Sequence, residues 1–302
     1  MKTKISILSA LIVLFALFSG CEEEDSGETG TVALSITDAP IDNDNIEGVW
    51  IKVNGLEYHT QDSGWKTFEG YEGPKEFNLL DLTDGVKEML GTFEMEAGQY
   101  NQLRFMLEIP ERGQSTPSNP GTYLEFEDGS EEPLFVPSGG ETGYKAVGPF
   151  QVPSNGTVEL TADWDARKAV VKAGATDIYI LRPTIRLIAE NEAGSIDGGI
   201  SEIPDDASDI AVYAYDDNLE DGDIDDEAAE PTDEENRFPN AVTSDVADEE
   251  GNYQLNWLAP TSYDLVVVKH VNGEFDQVLG IVEDVEVESK GTENVPIDIS
   301  EL

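Results

Sequence analysis

Apolar residues recur at every second position over short stretches, and this constrains the fold more than any other feature of the chain. Val32, Leu34 and Ile36 alternate with Ala33, Ser35 and Thr37, and Val49, Ile51 and Val53 alternate with Trp50, Lys52 and Asn54. Leu103, Phe105, Leu107 and Ile109 repeat the pattern, as do Val158, Leu160, Ala162 and Trp164. Side chains on a strand point to opposite faces in turn, so a period of two predicts half-buried strands rather than helices. Turn chemistry agrees: Asp128-Gly129 separates Tyr123–Phe126 from Leu134–Val136, and Asn155-Gly156 precedes the stretch holding Val158. Both are pairs that tight hairpins favour. Only Leu79–Leu90 reads as a short helix or turn, with Thr83 or Asp84 as its cap. The expected fold class is all-β, with antiparallel β-sandwich or barrel-like domains.

With 302 residues, 39% of them hydrophobic and 8% aromatic, the chain has room for two modest domains with real cores. Its charge is lopsided: 17 basic residues against 64 acidic ones leave a net of -47. Such a surface repels phosphates and anionic lipid headgroups, which speaks against nucleic acid and against purely electrostatic membrane attachment. The excess carboxylates serve solubility through self-repulsion, or attract cations such as calcium.

A single cysteine, Cys21, rules out an intramolecular disulfide and any site built from several thiols. His59 and His270 lie in different halves of the chain. There is no P-loop, no dinucleotide-type glycine fingerprint, no Gly-x-Ser-x-Gly elbow and no His-Glu-x-x-His. With so many acids, chance carboxylate pairs are everywhere and none stands out for glycoside chemistry. The residues give no reason to expect an enzyme.

Lys2 and Lys4 precede an apolar run from Ile5 to Phe18, shorter than the roughly 20 residues a membrane-spanning helix needs but suited to a signal-peptide core. It ends in Leu17-Phe18-Ser19-Gly20-Cys21, which resembles the bacterial lipobox, with Phe18 where an aliphatic residue is usual. That resemblance implies a signal peptide over 1–20 and acylation of Cys21. Cleavage there removes Lys2 and Lys4, so the mature charge becomes 15 − 64 = −49. Each buried methylene of an acyl chain contributes about 0.8 kcal/mol, and two or more chains hold stably. Residues 21–30, with Glu22-Glu23-Glu24-Asp25 at their start, are too small and acidic to fold and read as a tether. The acidic run behind the cysteine resembles the surface-export signal of Bacteroidota lipoproteins, which implies an outer-membrane protein facing outward rather than into the periplasm; a plain solvated linker, with the protein facing the periplasm, is the competing reading.

Within 31–190 several segments occur in a telling order: Thr37-Asp38-Ala39-Pro40, Val49–Val53, Phe77–Leu82, Ala97–Arg104 and Ile180–Arg186. Together they resemble the bacterial lipoprotein family known as domain of unknown function 4382. The resemblance implies an extracytoplasmic β domain and brings no activity or binding residues. Asp38, Asp42 and Asp44 cluster after the first strand, where they offer oxygens for calcium or make Asx-turns around Pro40. Trp164 continues a core-facing set. Trp50 and Trp65 are candidates for stacking on a glycan, or for covering a sheet edge.

The second expected domain, 194–302, opens with Gly194–Ile200 and Ile210–Tyr215 and continues with Gly251-Asn252-Tyr253 and Tyr263–Val268. This spacing resembles the carboxypeptidase regulatory-like domain, a sandwich of transthyretin type, although Thr261-Ser262 stands where that family has glycine. The starch-binding-like fold class is a likeness of fold and does not settle function. Asn272-Gly273 reads as another hairpin turn. Between the strands lies an acidic insertion, 216–240, in which Asp221, Asp223 and Asp225 repeat the first spacing of a calcium loop. Asp226 and Thr232 stand where an EF-hand needs Gly and Glu, so a solvated loop is the competing reading. Functionally these features point to a non-catalytic surface lipoprotein with a binding or structural role. The alternatives are a polysaccharide-capture protein and a calcium-dependent adhesin; partners would be the membrane through the lipid, and glycans or other surface proteins.

Overall fold

A computed structural model of the chain describes residues 28–39, 45–61, 64–109, 121–137, 142–173, 178–216, 228 and 237–302. The fold is all-β.

Thirteen strands up to Ala189 form one continuous hydrogen-bonded sheet: β1 (Thr29–Thr37), β2 (Ile46–Thr60), β3 (Gly64–Thr67), β4 (Lys75–Asn78), β5 (Glu88–Glu96), β6 (Gly98–Leu107), β7 (Tyr123–Phe126), β8 (Glu131–Phe135), β9 (Tyr144–Val152), β10 (Thr157–Asp163), β11 (Val170–Lys172), β12 (Tyr179–Leu181) and β13 (Ile185–Ala189). Their order is β11-β12-β8-β7-β2-β6-β9-β13-β10-β1-β5, with β3 and β4 also paired to β2. Val32, Leu34 and Ile36 of β1 and Leu103 and Phe105 of β6 meet in one core, so the sheet curls over itself. Trp164 is fully buried at its centre, stacked on Tyr144 at 4.7 Å with Phe105 edge-on at 5.2 Å.

After residue 193 the remaining strands make two smaller sheets. One joins β14 (Gly194–Ser201) to β17 (Asn252–Leu258), β20 (Thr292–Asn294) and β21 (Ile297–Asp298). The other runs β16 (Thr243–Val246), β15 (Asp209–Asp216), β18 (Ser262–Val271), β19 (Glu274–Glu286). They pack face to face over Ile196, Val212, Tyr253, Leu255, Leu265 and Val267. The outer face of β15 and β18 is buried as well: Ala211, Tyr213, Tyr215, Val266 and Val268 pack with Phe238 and Ala241. Burial on both faces explains why β15 reads as an unbroken apolar run.

Two details differ from the sequence reading. Most pairings are antiparallel, but β1 with β10, β8 with β12, β9 with β13, and β14 with both β20 and β21 run parallel. Residues 79–90 hold only a single 3₁₀ turn, Leu79–Leu82, before β5 begins. Its cap is Asn78, whose side chain accepts from Leu80 N; Thr83 closes the turn instead, and Asp84 follows it with φ at 56°. Asn78 also accepts from Val49 N at 3.0 Å, so a long-range strand contact selects the cap. The three Asn-Gly and Asp-Gly turns fall where expected, between β7 and β8, before β10, and between β18 and β19.

Candidate functional site

The densest polar chemistry lies where the first sheet meets the two smaller ones. It begins at the end of β10, where Asp163, Asp165 and Arg167 are all buried. Asp165 adopts a left-handed conformation (φ 46°), a state Asp tolerates better than most residues, and starts the helical turn Ala166–Ala169. Its carboxylate accepts from Lys168 N at 3.3 Å and pairs with Lys168 Nζ at 3.1 Å and Arg167 Nη2 at 3.2 Å. Burial alone would push this carboxyl up; Arg167 and Lys168 overcome that and hold it below the usual carboxylate range.

Arg167 then reaches across. Nη1 donates to the Phe238 carbonyl at 2.7 Å, Nη2 to the Ala241 carbonyl at 3.3 Å, and the guanidinium lies 5.4 Å from the Tyr213 ring centre. A planar fork of donors suits such a two-carbonyl grip with an aromatic face beside it. Lys87 adds a second crossing contact, 5.3 Å from the Trp257 ring, while its ammonium binds Glu190 at 2.6 Å.

Two further buried acids face the seam. Asp38 accepts from Ala166 N at 2.7 Å through Oδ1, and Asp163 pairs with Arg186 through Oδ2. The other oxygen of each, Asp38 Oδ2 and Asp163 Oδ1, has no partner among the described residues. Burial pushes both carboxyls up, Asp38 well above its ordinary value. Both line a small cavity together with Ser244, Asp245 and Trp257 of the second set of sheets. Asp245 accepts from Gln254 N at 2.7 Å and from Val246 N at 2.9 Å. Burial, followed by the neighbouring Asp84, raises it to about 7. Asp84 and Asp245 also border a larger polar cleft of about 560 Å³ with Asp197, Asp248, Asn252 and Asn294.

The residues singled out in the sequence are scattered. Asp38 is engaged through one oxygen by the helical turn after β10. Trp50 is half-buried; its Nε1 donates to Glu125 at 2.9 Å and its ring stacks on Tyr123. Trp65 lies between the Arg104 guanidinium, 4.3 Å away, and His59, 5.1 Å away. Trp65 is paired opposite His59, nine positions beyond Trp50 along β2, which at about 3.3 Å per residue separates the two tryptophans by roughly 30 Å of strand. They form no common platform. Cys21, Asp42, Asp44, Asp221, Asp223 and Asp225 lie outside the described residues. Among the described residues no three His, Cys, Asp or Glu side chains come together as a metal ion would require, and no helix is long and apolar enough to cross a membrane. Sequence reasoning missed Asp163, Asp165, Arg167 and Asp245. The one available signal was Asp165-Ala166-Arg167-Lys168, a charged run directly behind an apolar strand in a chain poor in basic residues.

An all-β scaffold with a buried ionic joint is thus the class that fold and site define. Residues 29–183, slightly more than half of the chain, match the family described as domain of unknown function (DUF4382), and the chain belongs to that family. None of the curated proteins matches the sequence. Among solved structures, the chain is similar to the Bacillus anthracis TIE protein at 10% identity, covering 90% of this chain and 34% of that one, with a TM-score of 0.23. It is also similar to GBS52, the minor pilin of Streptococcus agalactiae (14% identity, 89% and 94% covered, TM-score 0.21). A fimbrial protein from Bacteroides ovatus gives 11% identity, 89% and 49% covered, and a TM-score of 0.22. The chain therefore spans about a third of the Bacillus anthracis protein. Likenesses this slight carry no argument about function.

Proposed function

We propose that this protein is a non-catalytic lipoprotein of the cell surface, held by an acylated Cys21 on an acidic tether, whose sheets form one stiff arm that presents its outer loops. The observation that carries the reading is the grip of Arg167 on the Phe238 and Ala241 carbonyls. Parting the two sets would break both of these charge-assisted hydrogen bonds together, which favours a docked junction over a freely hinged one. On this reading the second set of sheets is a carboxypeptidase regulatory-like sandwich acting as spacer. Its opposed four-stranded sheets and the Tyr263 hydroxyl, which donates to Ala259 O at 3.1 Å, support that assignment.

The test is small-angle scattering on the full-length chain beside an Arg167→Met variant. A rigid arm gives a sharp maximum dimension that broadens in the variant; equal, broad distributions for both proteins would refute the reading. Protease trimming of the protein on intact cells tests its exposure.

A further inference from the structure

We propose that the small cavity at the seam is a binding site for one water molecule, held by two groups from the first sheet and two from the second set, so that the water is part of the joint. The site lies within the docked junction of the stiff-arm reading and rests on that docking.

The cavity measures about 10 Å³, close to the roughly 10–15 Å³ at which a cavity first admits one water. Asp38, Asp163, Ser244 and Trp257 all line it. Each carries one buried polar atom with no partner among the described residues: Asp38 Oδ2, Asp163 Oδ1, Ser244 Oγ and Trp257 Nε1. Eight such atoms occur among the described residues, and half of them belong to the lining of this one small space. Asp38, Asp163 and Ser244 are 6%, 2% and 4% exposed, so bulk solvent does not satisfy them. Buried polar groups are nearly always bonded, to protein or to ordered water.

The fold brings the four together. Thr37 pairs with Asp163 in the parallel register of β1 and β10, which sets Asp38 beside Asp163. Ala166 N–H donates to Oδ1 of the first and Arg186 to Oδ2 of the second, leaving one oxygen of each for the cavity. Ser244 of β16 is paired opposite Tyr213 of β15, and residues directly opposite share a face. Arg167 lies over the Tyr213 ring, so that face is the one turned to the first sheet. Trp257 arrives by a bulge: β17 has one more residue between Leu255 and Leu258 than β14 has between Ile196 and Gly194. Its φ is 58°, and the Lys87 ammonium, 5.3 Å from its ring, holds it against the first sheet.

Donors and acceptors select the ligand. A carboxylate oxygen only accepts, an indole N–H only donates, and a hydroxyl does either. A water that donates to the two carboxylates and accepts from Trp257 and Ser244 satisfies all four atoms with the four hydrogen bonds it can make. Burial pushes the Asp38 carboxyl well up. With a proton on Oδ2, the Ser244 hydroxyl turns to accept, and the same water still serves every group. A cation fits worse. The indole N–H has no lone pair to offer it, and no three His, Cys, Asp or Glu side chains converge among the described residues.

The test reads the indole N–H signals of the full-length chain by nuclear magnetic resonance. Its four tryptophans give four signals, and Trp257→Phe identifies the one concerned. The expected result is a cross-peak between the Trp257 indole proton and water, opposite in sign in laboratory-frame and rotating-frame Overhauser spectra, as a water that outlasts molecular tumbling gives. The peak should persist in Ser244→Ala, which removes one partner and leaves the space. It should vanish in Ser244→Val, whose methyl groups fill the space. Loss of the peak in Ser244→Ala overturns the proposal, because the serine hydroxyl was then relaying exchange with solvent. Its persistence in a folded Ser244→Val, or its loss from wild type on adding millimolar calcium, overturns it too. Wild type and Ser244→Ala carry the test should Ser244→Val fail to fold. A protected Trp257 N–H without the peak overturns the bound water alone. Rapid exchange of that N–H with solvent also overturns it, and a broad scattering profile on the same sample then removes the stiff arm as well.

Discussion

Arg167 and Phe238 are joined by a hydrogen bond of 2.7 Å that leaves the first sheet and ends on the backbone of the second set. The guanidinium is 1% exposed at its side chain and faces Asp165, 2% exposed, on its own side. Breaking a buried ion pair by removing one partner leaves the other charge stranded in a medium that solvates it poorly. Arg167→Met should therefore destabilise the protein by about 3–5 kcal/mol. Adding Asp165→Asn should recover part of that loss by removing the stranded charge. Urea unfolding of the two variants measures both; a double variant no more stable than the single one would show that the carboxylate was not the source of the cost.

Trp164 carries the centre of the first core, with the Tyr144 ring parallel to it within 5°. Truncation to alanine removes both ring contacts and leaves a cavity, an expected loss of about 3–5 kcal/mol. Trp164→Phe should lose less, because the contact with Phe105 survives in part. Chemical denaturation followed by far-ultraviolet circular dichroism reads the difference without relying on tryptophan fluorescence.

Gly198 and Gly199 are neighbours in β14 with opposite tolerances. A Cβ on Gly198 would lie 2.0 Å from the Val295 carbonyl oxygen, whereas one on Gly199 meets nothing within 4 Å. Gly198→Ala should push away the segment at Val295, just after β20, and cost about 1–3 kcal/mol, as overpacking does. Gly199→Ala should stay within about 0.5 kcal/mol of wild type. Equal melting temperatures for the two variants would contradict this packing.

At the amino end, Cys21→Ser should abolish incorporation of labelled fatty acid and move the protein from the membrane pellet to the soluble fraction. The strongly negative surface offers no electrostatic substitute for the lipid on anionic membranes. Retention of the variant in the pellet would show another means of attachment.

The legible part of this protein is whatever depends on neighbours close in the chain. Alternation of Val49, Ile51 and Val53 with Trp50 and Lys52 declares a strand because side-chain direction flips at each residue, and Asn272-Gly273 declares a hairpin because both residues accept positive φ. The same local chemistry placed Trp164 in the core. Tertiary structure decided everything that depends on what comes to rest on a surface from far away. Asn78 caps a turn because β2 lies beside it. β15 is apolar on both faces because Phe238 and Ala241 cover the second one. Asp163, Arg167 and Asp245 look in the sequence like ordinary members of a charged surface. They become a joint only when the sheets close over them, because a charge gains its partner and loses its water at the moment of packing.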